Sequence, residues 1–456
     1  MYLDGKNHLH FIGIGGSGMY PMAQILHEKG FYITGSDNNE TDTLQKVREM
    51  GIHVTLGQRA ENIEGADLIV YSAAIMADNP ELVAARASGI PTVERSVILG
   101  EITSHFSDAL CVSGTHGKTT TTSMLTQIML DAGKDPTCVI GGKLPAIGGS
   151  GRAGKTQHMV CESCEFVDTF LKLHPDVAVI LNIDADHLDY FKTMENLIHS
   201  FRKFASMATK CIIANGDDAN TMMAIAGMED RLITFGVHPK NDYYPENIVH
   251  PGGVNTEFDL CYHGKTLTHI KMHVPGDHNI LNAIAACAAA MTAGVTPEEC
   301  AAGIDAFHGA GRRFEVLAEI NDITVADDYG HHPTEIEATL KAARALPFKR
   351  VWAVHQPFTY SRTKMLMDDF ARVLSHADKV VLSEIMGSRE KNTDGVYTAQ
   401  LAEKIPGCVW FPEFPDISDY VVANAQPGDL ILTLGCGDVN KCAHMIVEKL
   451  KAKYAE

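Results

Sequence analysis

The strongest constraint on the fold is a pattern that occurs three times along the chain. An apolar, strand-like run empties directly into a loop rich in glycine or polar residues, and a helix-like stretch follows. In the first instance residues 8–14 run into Gly13-Ile14-Gly15-Gly16-Ser17-Gly18, a match to G-x-G-x-x-G. A helix-like stretch over residues 19–29 and a strand over 31–34 follow, ending at Gly35-Ser36-Asp37. This is a βαβ unit, which puts a helix N-terminus and closely approaching backbone N–H groups where a diphosphate can sit. Glycine suits the turn because a Cβ would stand between backbone and phosphate oxygen. Gly15, Gly16, Ser17 and Gly18, Asp37 at the end of the next strand, and Ser72 after a strand at 67–71 are the candidate substrate contacts. Taken alone, the motif fits a nicotinamide cofactor, any nucleotide diphosphate, or a tight turn with no ligand. Residues 91–101 read as the exit from this domain.

The pattern restarts with a strand at 109–112, then Ser113-Gly114-Thr115-His116-Gly117-Lys118-Thr119-Thr120, then a helix through residue 132. The glycine spacing is shorter than in the usual P-loop, because Val112 stands where its first glycine would fall. Even so, a Lys-Thr pair after a glycine turn at a helix N-terminus supplies a point charge for β- and γ-phosphates and a hydroxyl for Mg²⁺. Candidate metal ligands come next. Glu162 and Glu165 follow an apolar stretch ending at Val160, and a strand at 176–181 leads into Asn182-Ile183-Asp184-Ala185-Asp186-His187. Mg²⁺ favours oxygen ligands, so the acids are the natural choice and a histidine is unusual.

Further strands are expected at 211–214 and 232–235, with a hairpin over 256–274 around His263-Gly264. His278 opens an alanine-rich helix on which Asn279 and Asn282 share a face, either to hydrogen-bond a base edge or to cap the helix. A third α/β pattern begins after Gly309-Ala310-Gly311-Arg312-Arg313-Phe314, with strands at 323–326, 351–355, 379–383 and 429–434. Its first loop, Asp327-Asp328-Tyr329-Gly330-His331-His332-Pro333, suits a transition metal, an acid/base group or a hydrogen-bonded turn equally well.

With 456 residues the chain has room for three such domains at about 150 residues each. The formal charge of −19 disfavours binding to nucleic acid and confines phosphate recognition to dedicated pockets. No apolar run approaches the ~20 residues of a membrane span and the first residues lack a secretory core, so a cytoplasmic protein without membrane contact is expected. Eleven cysteines without framework spacing suit a reducing compartment, and Cys161-x-x-Cys164 reads as incidental because no second pair stands at zinc-site distance.

Five motifs, in this order, resemble those of the Mur ligases: Gly114 to Thr120, Asn182 to His187, His278-Asn279 with Asn282-Ala283, Gly311 to Phe314, and Asp327 to Glu335. The opening His10-Phe11-Ile12-Gly13-Ile14-Gly15-Gly16-Ser17-Gly18-Met19 is most similar to the members that add L-alanine to UDP-N-acetylmuramate. The resemblance implies an α/β protein of three domains. These are a Rossmann-like UDP-binding domain at 1–106, a P-loop-type ATPase domain at 107–312 and a Rossmann-like ligase domain at 313–456. It implies ATP and two Mg²⁺ ions, and a monomer or dimer. ATP would phosphorylate the lactyl carboxylate, and the amine of L-alanine would attack the acyl phosphate. The first glycine loop would then hold UDP and the second ATP.

Carried over by this resemblance, Gly114, Thr115, His116, Gly117, Lys118, Thr119 and Thr120 contact ATP, with Asn279 and Asn282 on its adenine side. Thr119, Glu165 and His187 hold metal, and Arg313 and Asp328 face ATP. Tyr329, His331 and Arg362 stand near the amino-acid site, where a guanidinium can hold a carboxylate by two hydrogen bonds. Two departures stand out. Cys164 replaces an aspartate common in the family, and Phe358-Thr359 replace a His-Arg pair before Tyr360, which leaves Arg362 as the arginine there. Three domains with loaded loops also suggest closure on substrates, with Gly309 and Gly311 near the hinge.

Overall fold

The computed structural model describes residues 1–252, 254–388 and 390–455, and of Asp42 and Asp189 the backbone alone. The first sheet contains β1 (His8–Ile12), β2 (Tyr32–Asp37), β3 (His53–Leu56), β4 (Leu68–Tyr71) and β5 (Thr92–Glu94). Its spatial order is β3-β2-β1-β4-β5, with every pair parallel. Leu9, Phe11 and Ile12 of β1 are fully buried, as expected of a parallel strand covered on both faces. The direction of winding reverses at β1, so the crevice beyond its C-terminal end is the place where such sheets take ligands, and the first glycine loop grows from that point. The stretch expected to leave the domain instead supplies the edge strand β5, with Thr92 opposite Ile69, and the helix Arg95–Ser104.

The second sheet contains β6 (Asp108–Ser113), β7 (Thr137–Leu144), β8 (Gly149–Arg152), β9 (His158–Glu162), β10 (Val177–Ile180), β11 (Cys211–Asn215), β12 (Leu232–Phe235), β13 (Tyr243–Gly252), β14 (Asn255–Tyr262) and β15 (Lys265–Met272). Their order is β15-β14-β13-β12-β11-β10-β6-β9-β7-β8. All six residues of β6 are buried, and it is flanked by β10 and β9, whose C-terminal ends carry the expected metal ligands. The expected hairpin is β14–β15. His263 and Gly264 both have positive φ, +46° and +78°, the combination a two-residue turn needs to match strand twist.

The third sheet contains β16 (Glu315–Ile320), β17 (Ile323–Asp328), β18 (Arg350–His355), β19 (Lys379–Leu382), β20 (Val409–Trp410) and β21 (Asp429–Leu434), in the order β16-β17-β21-β18-β19-β20. Among the described residues of this sheet only β16 runs antiparallel to its neighbour. The chain packs as two compact units. The first is Met1–Ile248, Phe258–Lys271 and Leu281–Phe307, and the second is Val249–Glu257, Met272–Ile280 and His308–Glu456. Within the first unit one continuous apolar cluster runs from Phe11 and Ile98 to Cys111, Phe170 and Phe201, so the first two sheets share a core. The third sheet buries two faces of its own, around Leu340, Phe370 and Leu432 on one side and Trp352, Ile417 and Ile446 on the other. Among the described residues no helix is long and apolar enough to cross a membrane.

Candidate active site

The P-loop leaves β6 at Ser113 and is stapled in place by Asn182, at the end of β10. Thr115 N–H donates to the Asn182 backbone carbonyl at 3.0 Å. The Asn182 side chain accepts from His116 N–H at 2.8 Å and donates to the His116 carbonyl at 3.0 Å. Asp184 N–H donates to the Thr115 hydroxyl at 2.9 Å, and the His116 ring lies 3.2 Å from the Asp184 carboxylate. At the helix start Gly117 has φ +84°, and a Cβ there would stand 2.5 Å from Asn282 Oδ1. Loop and Asn282 therefore meet at a distance only glycine allows. Asn279 is also buried, and its amide donates to the Pro275 carbonyl just ahead of the helix at 2.8 Å.

Lys118 opens the helix Lys118–Asp131 and turns back into its own loop, donating to the carbonyls of Gly114 at 2.5 Å and Thr115 at 3.0 Å. Its ammonium lies 3.2 and 3.0 Å from the two oxygens of Glu165. Burial alone would lower the lysine's pKa, but the buried Glu165 carboxylate outweighs it, and the pKa ends well above its ordinary value. Thr119 donates its hydroxyl proton to Glu162 at 3.0 Å, and the other Glu162 oxygen accepts from Gly141 N–H at 2.7 Å. Thr120 completes the first helical turn, half-buried, where N–H groups lack intrahelical partners.

The loops carrying Glu165 and His187 lie against each other, with the Phe166 and His187 rings 4.7 Å apart. Three non-glycine residues here hold positive φ: Val167 at +48°, Asp168 at +59° and His187 at +55°. Such conformations cost energy and concentrate where a site over-determines the backbone. Asp168 is tied by the Tyr190 hydroxyl at 2.9 Å and by Ser200. The His187 ring nitrogen lies 3.5 Å from Asp186. The Thr119 hydroxyl and the Glu162 carboxylate meet at 3.0 Å, and oxygen ligands of this kind suit a divalent cation beside phosphate. The Cys164 thiol is pushed up to about 11 by burial, and among the described residues Cys161 and Cys164 join no cluster of three potential metal ligands.

In the first sheet a cavity of about 550 Å³ opens at the end of β1, lined by Gly13, Gly16, Asp37 and Ser72 among others. Gly15 N–H donates to the Asp37 carboxylate at 3.0 Å, so Asp37 holds the glycine turn as well as facing the cavity. The Ser72 hydroxyl accepts from Ala74 N–H at 3.2 Å. Ser17 is exposed on the loop, and at Gly18 a Cβ would lie 3.0 Å from the Arg95 guanidinium. Arg95 thus lies beside the site although no motif included it, Asn182 of the Asn182–His187 motif acts on the loop rather than on a ligand, and Glu162, a candidate metal ligand, is held by Thr119 and Gly141. The only signal for Arg95 was its position just after a strand end.

In the second unit Asp328 is buried and braces its own loop, accepting from Phe314 N–H and Gly330 N–H, both at 2.8 Å. Burial raises its pKa, partly countered by the Arg313 charge. Arg312 and Arg313 both sit over the Tyr329 ring, at 5.0 and 5.1 Å. Arg312 is the structural one, bound to Asp327 at 2.7 Å and to the carbonyls of Gly435 and Gly437. His331 has its ring nitrogen 3.1 Å from the Tyr329 carbonyl and its edge toward Phe358, 6.5 Å away. Arg362 lies in the helix Tyr360–Met365, capped by Thr359 at φ +64°. Burial lifts the thiol of Cys436, in the loop after β21, to about 12, countered in part by the Arg362 charge. Tyr329, His331 and Phe358 therefore form one patch, with Phe358 where a basic residue was expected.

The sequence matches three family descriptions: "Mur ligase family, catalytic domain" over residues 8–107, "Mur ligase middle domain" over 112–290 and "Mur ligase, glutamate ligase domain" over 312–437. It is 44% identical to UDP-N-acetylmuramate–L-alanine ligase of Acetivibrio thermocellus, covering 97% of this chain and 96% of the relative. It is 44% identical to the ligase of the same name from Agathobacter rectalis, covering 97% and 98%. Among solved structures, UDP-N-acetylmuramate–alanine ligase from Thermotoga maritima superposes with TM-score 0.84 at 26% identity, covering 98% of this chain and 99% of the other. A murein peptide ligase from Psychrobacter arcticus shares the fold at TM-score 0.75 and 24% identity, with 97% and 98% covered. On these matches and the three sheets with their strand-end loops, the chain belongs to the Mur ligase family.

Proposed function

We propose that the chain is an ATP-dependent, ADP-forming ligase that joins L-alanine to the lactyl carboxylate of UDP-N-acetylmuramate. It would act in the cytoplasm in peptidoglycan precursor synthesis, as a monomer or dimer. The observation that carries this reading is a pair of phosphate-type loops on separate sheets. One holds a buried Lys118–Glu165 pair at a helix N-terminus, and the other opens on its own cavity. Two such loops suit a reaction in which one nucleotide supplies the phosphoryl group and another is a handle on the substrate. We place the domain boundaries at 1–106, 107–312 and 313–456.

A free carboxylate is a poor electrophile because oxide is a poor leaving group. In the proposed reaction a carboxylate oxygen attacks the γ-phosphorus and ADP departs. The neutral amine of L-alanine then attacks the acyl carbon, phosphate departs, and the amine loses its proton. Lys118 is charged at every physiological pH, and it neutralises β- and γ-phosphate oxygens as they gain charge. Thr119, Glu165 and His187 fit Mg²⁺, whose chemistry there is to neutralise phosphate oxygens and the carboxylate beside them. Glu162 orients the Thr119 hydroxyl, and Asn182 holds the His116 backbone in the conformation that aims the loop N–H groups. Asn282 stands at the rim of the loop, on the side offered to adenine. Gly15 to Gly18, with Arg95 alongside, receive the UDP diphosphate. Arg362 holds the L-alanine carboxylate beside Tyr329 and His331, with Arg313 and Asp328 on the ATP side of the same loop.

The test is phosphate release from the full chain given UDP-N-acetylmuramate, ATP and Mg²⁺, with either L-alanine or the tripeptide used in muropeptide recycling. Release with L-alanine is expected. Release with the tripeptide alone, or with neither, would overturn the reading.

A further inference from the structure

Three carboxamides that none of the motifs picked out, Asn38, Gln58 and Asn79, also line the cavity at the end of β1. Their hydrogen bonds leave no choice of orientation. Asn79 Oδ1 accepts the N–H groups of Glu81 at 3.0 Å and Leu82 at 3.2 Å, capping the helix Pro80–Ala87. Its Nδ2 must therefore face the other way, and it donates to Gln58 Oε1 at 2.5 Å. Asn38 Oδ1 accepts Gln58 N–H at 3.2 Å, so its Nδ2 is likewise committed, donating to the same Gln58 oxygen at 2.9 Å. Amide orientation is decided by such networks, and here both neighbours are locked by backbone donors that cannot reverse. Turning Gln58 over would set its NH₂ against two other NH₂ groups. Gln58 therefore keeps its oxygen on the two asparagines and turns its two N–H donors away from them, in a cavity that Gly13 and Gly16 of the glycine loop also line.

We infer that Gln58, held in one orientation by Asn38 and Asn79, selects uracil over cytosine in the nucleotide that fills this cavity. The inference rests on the reading that the cavity takes a uridine diphosphate. Uracil carries a carbonyl oxygen at the ring position where cytosine carries an amine. A fixed donor pairs with the carbonyl and opposes the amine, leaving two sets of donors face to face. Specificity built this way rejects the wrong partner through unsatisfied polar groups rather than through extra attraction to the right one. Gln58 is thus a specificity-determining residue, and Asn38 and Asn79 are positioning residues that act through it. The cavity volume of about 550 Å³ lies within the ~300–1,000 Å³ range usual for small-molecule sites.

The experiment is calorimetric titration of the full chain with UDP and with CDP, comparing the ratio of the two dissociation constants across variants. The wild-type chain is expected to bind UDP ~10-fold or more tightly than CDP, the worth of about one hydrogen bond. Gln58→Glu keeps an oxygen for both asparagines but turns an acceptor outward, so the ratio is expected to move toward CDP by a similar factor. The added charge weakens both nucleotides alike, which is why the ratio is the readout. Asn79→Asp keeps the helix cap and removes one of the donors that lock Gln58, and it is expected to narrow the ratio without touching the base. An unchanged ratio in both variants, with UDP still bound, would overturn the role of Gln58 alone. Failure of the wild-type chain to bind UDP would overturn the uridine reading and this inference with it.

Discussion

At the scale of single residues the account turns on Lys118, Glu165 and His187. Lys118 and Glu165 form a nearly enclosed ion pair, and breaking such a pair from one side leaves a buried charge without compensation. Lys118→Ala is therefore expected to abolish phosphate release and also to cost about 3 kcal/mol of stability in a urea melt. Adding Glu165→Gln should recover much of the stability but none of the activity. Equal stability of the single and double variants would show that the pair is not buried as described. Glu165→Ala and His187→Ala are each expected to lower kcat by ~10²-fold or more, the scale seen when one electrostatic stabiliser is removed. Near-normal turnover in both would remove them from the mechanism. These three residues were legible in the sequence because each lies in a contiguous motif at a strand end. Arg95 and Gln58 were not, and the hydrogen-bond partners of Glu162 and Asn182 were not, because each acts on a partner 20 or more positions away, as Gln58 does with Asn38 and Asn79, and no local pattern records such a pairing.

At the scale of elements, continuous buried strands were the most legible, while β7, β13 and β16 went unseen and the edge strand β15 was read only through its hairpin turn. β6, β10, β18 and β21 are continuous apolar runs, whereas β16 is mostly exposed or half-buried and carries no apolar signature. β18 makes a prediction of its own. It ends in His355, which is fully buried, donates from Nδ1 to the Leu434 carbonyl at 3.0 Å and stacks on Phe370. Burial, with a smaller contribution from the nearby His331, lowers its pKa to about 4. Below the unfolded value near 6.5 the unfolded chain takes up a proton that the folded chain refuses, so this contribution to stability is complete above pH 6.5 and drains away as pH falls toward 4. The loss over that window is about 3 kcal/mol from this residue. His355→Asn keeps a donor for Leu434 and does not titrate, so its urea stability should fall less steeply between pH 6.5 and 4 than that of the wild type. Parallel curves would contradict the assignment.

At the scale of the whole molecule, the length and the three recurring strand–loop–helix patterns pointed to three α/β domains, and three sheets are present. The charge of −19 says only that anionic substrates must be met locally, by Lys118, Arg95 and Arg362 against an unfavourable field. Lys118, Thr119, Glu165 and His187 belong to the first unit, whereas Arg313 and Asp328 on the ATP side and Tyr329, His331 and Arg362 by the amino acid belong to the second. The reaction needs both sets at one carboxylate, so a nonhydrolysable ATP analogue with UDP-N-acetylmuramate is expected to reduce the radius of gyration in solution scattering. An unchanged profile would count against that closure. The central claim is that the carboxylate is activated as an acyl phosphate, and it is tested most directly with UDP-N-acetylmuramate labelled with ¹⁸O in the lactyl carboxylate. With ATP and L-alanine, one labelled oxygen should appear in the released phosphate for each amide formed, whereas amide formation with unlabelled phosphate would contradict the account.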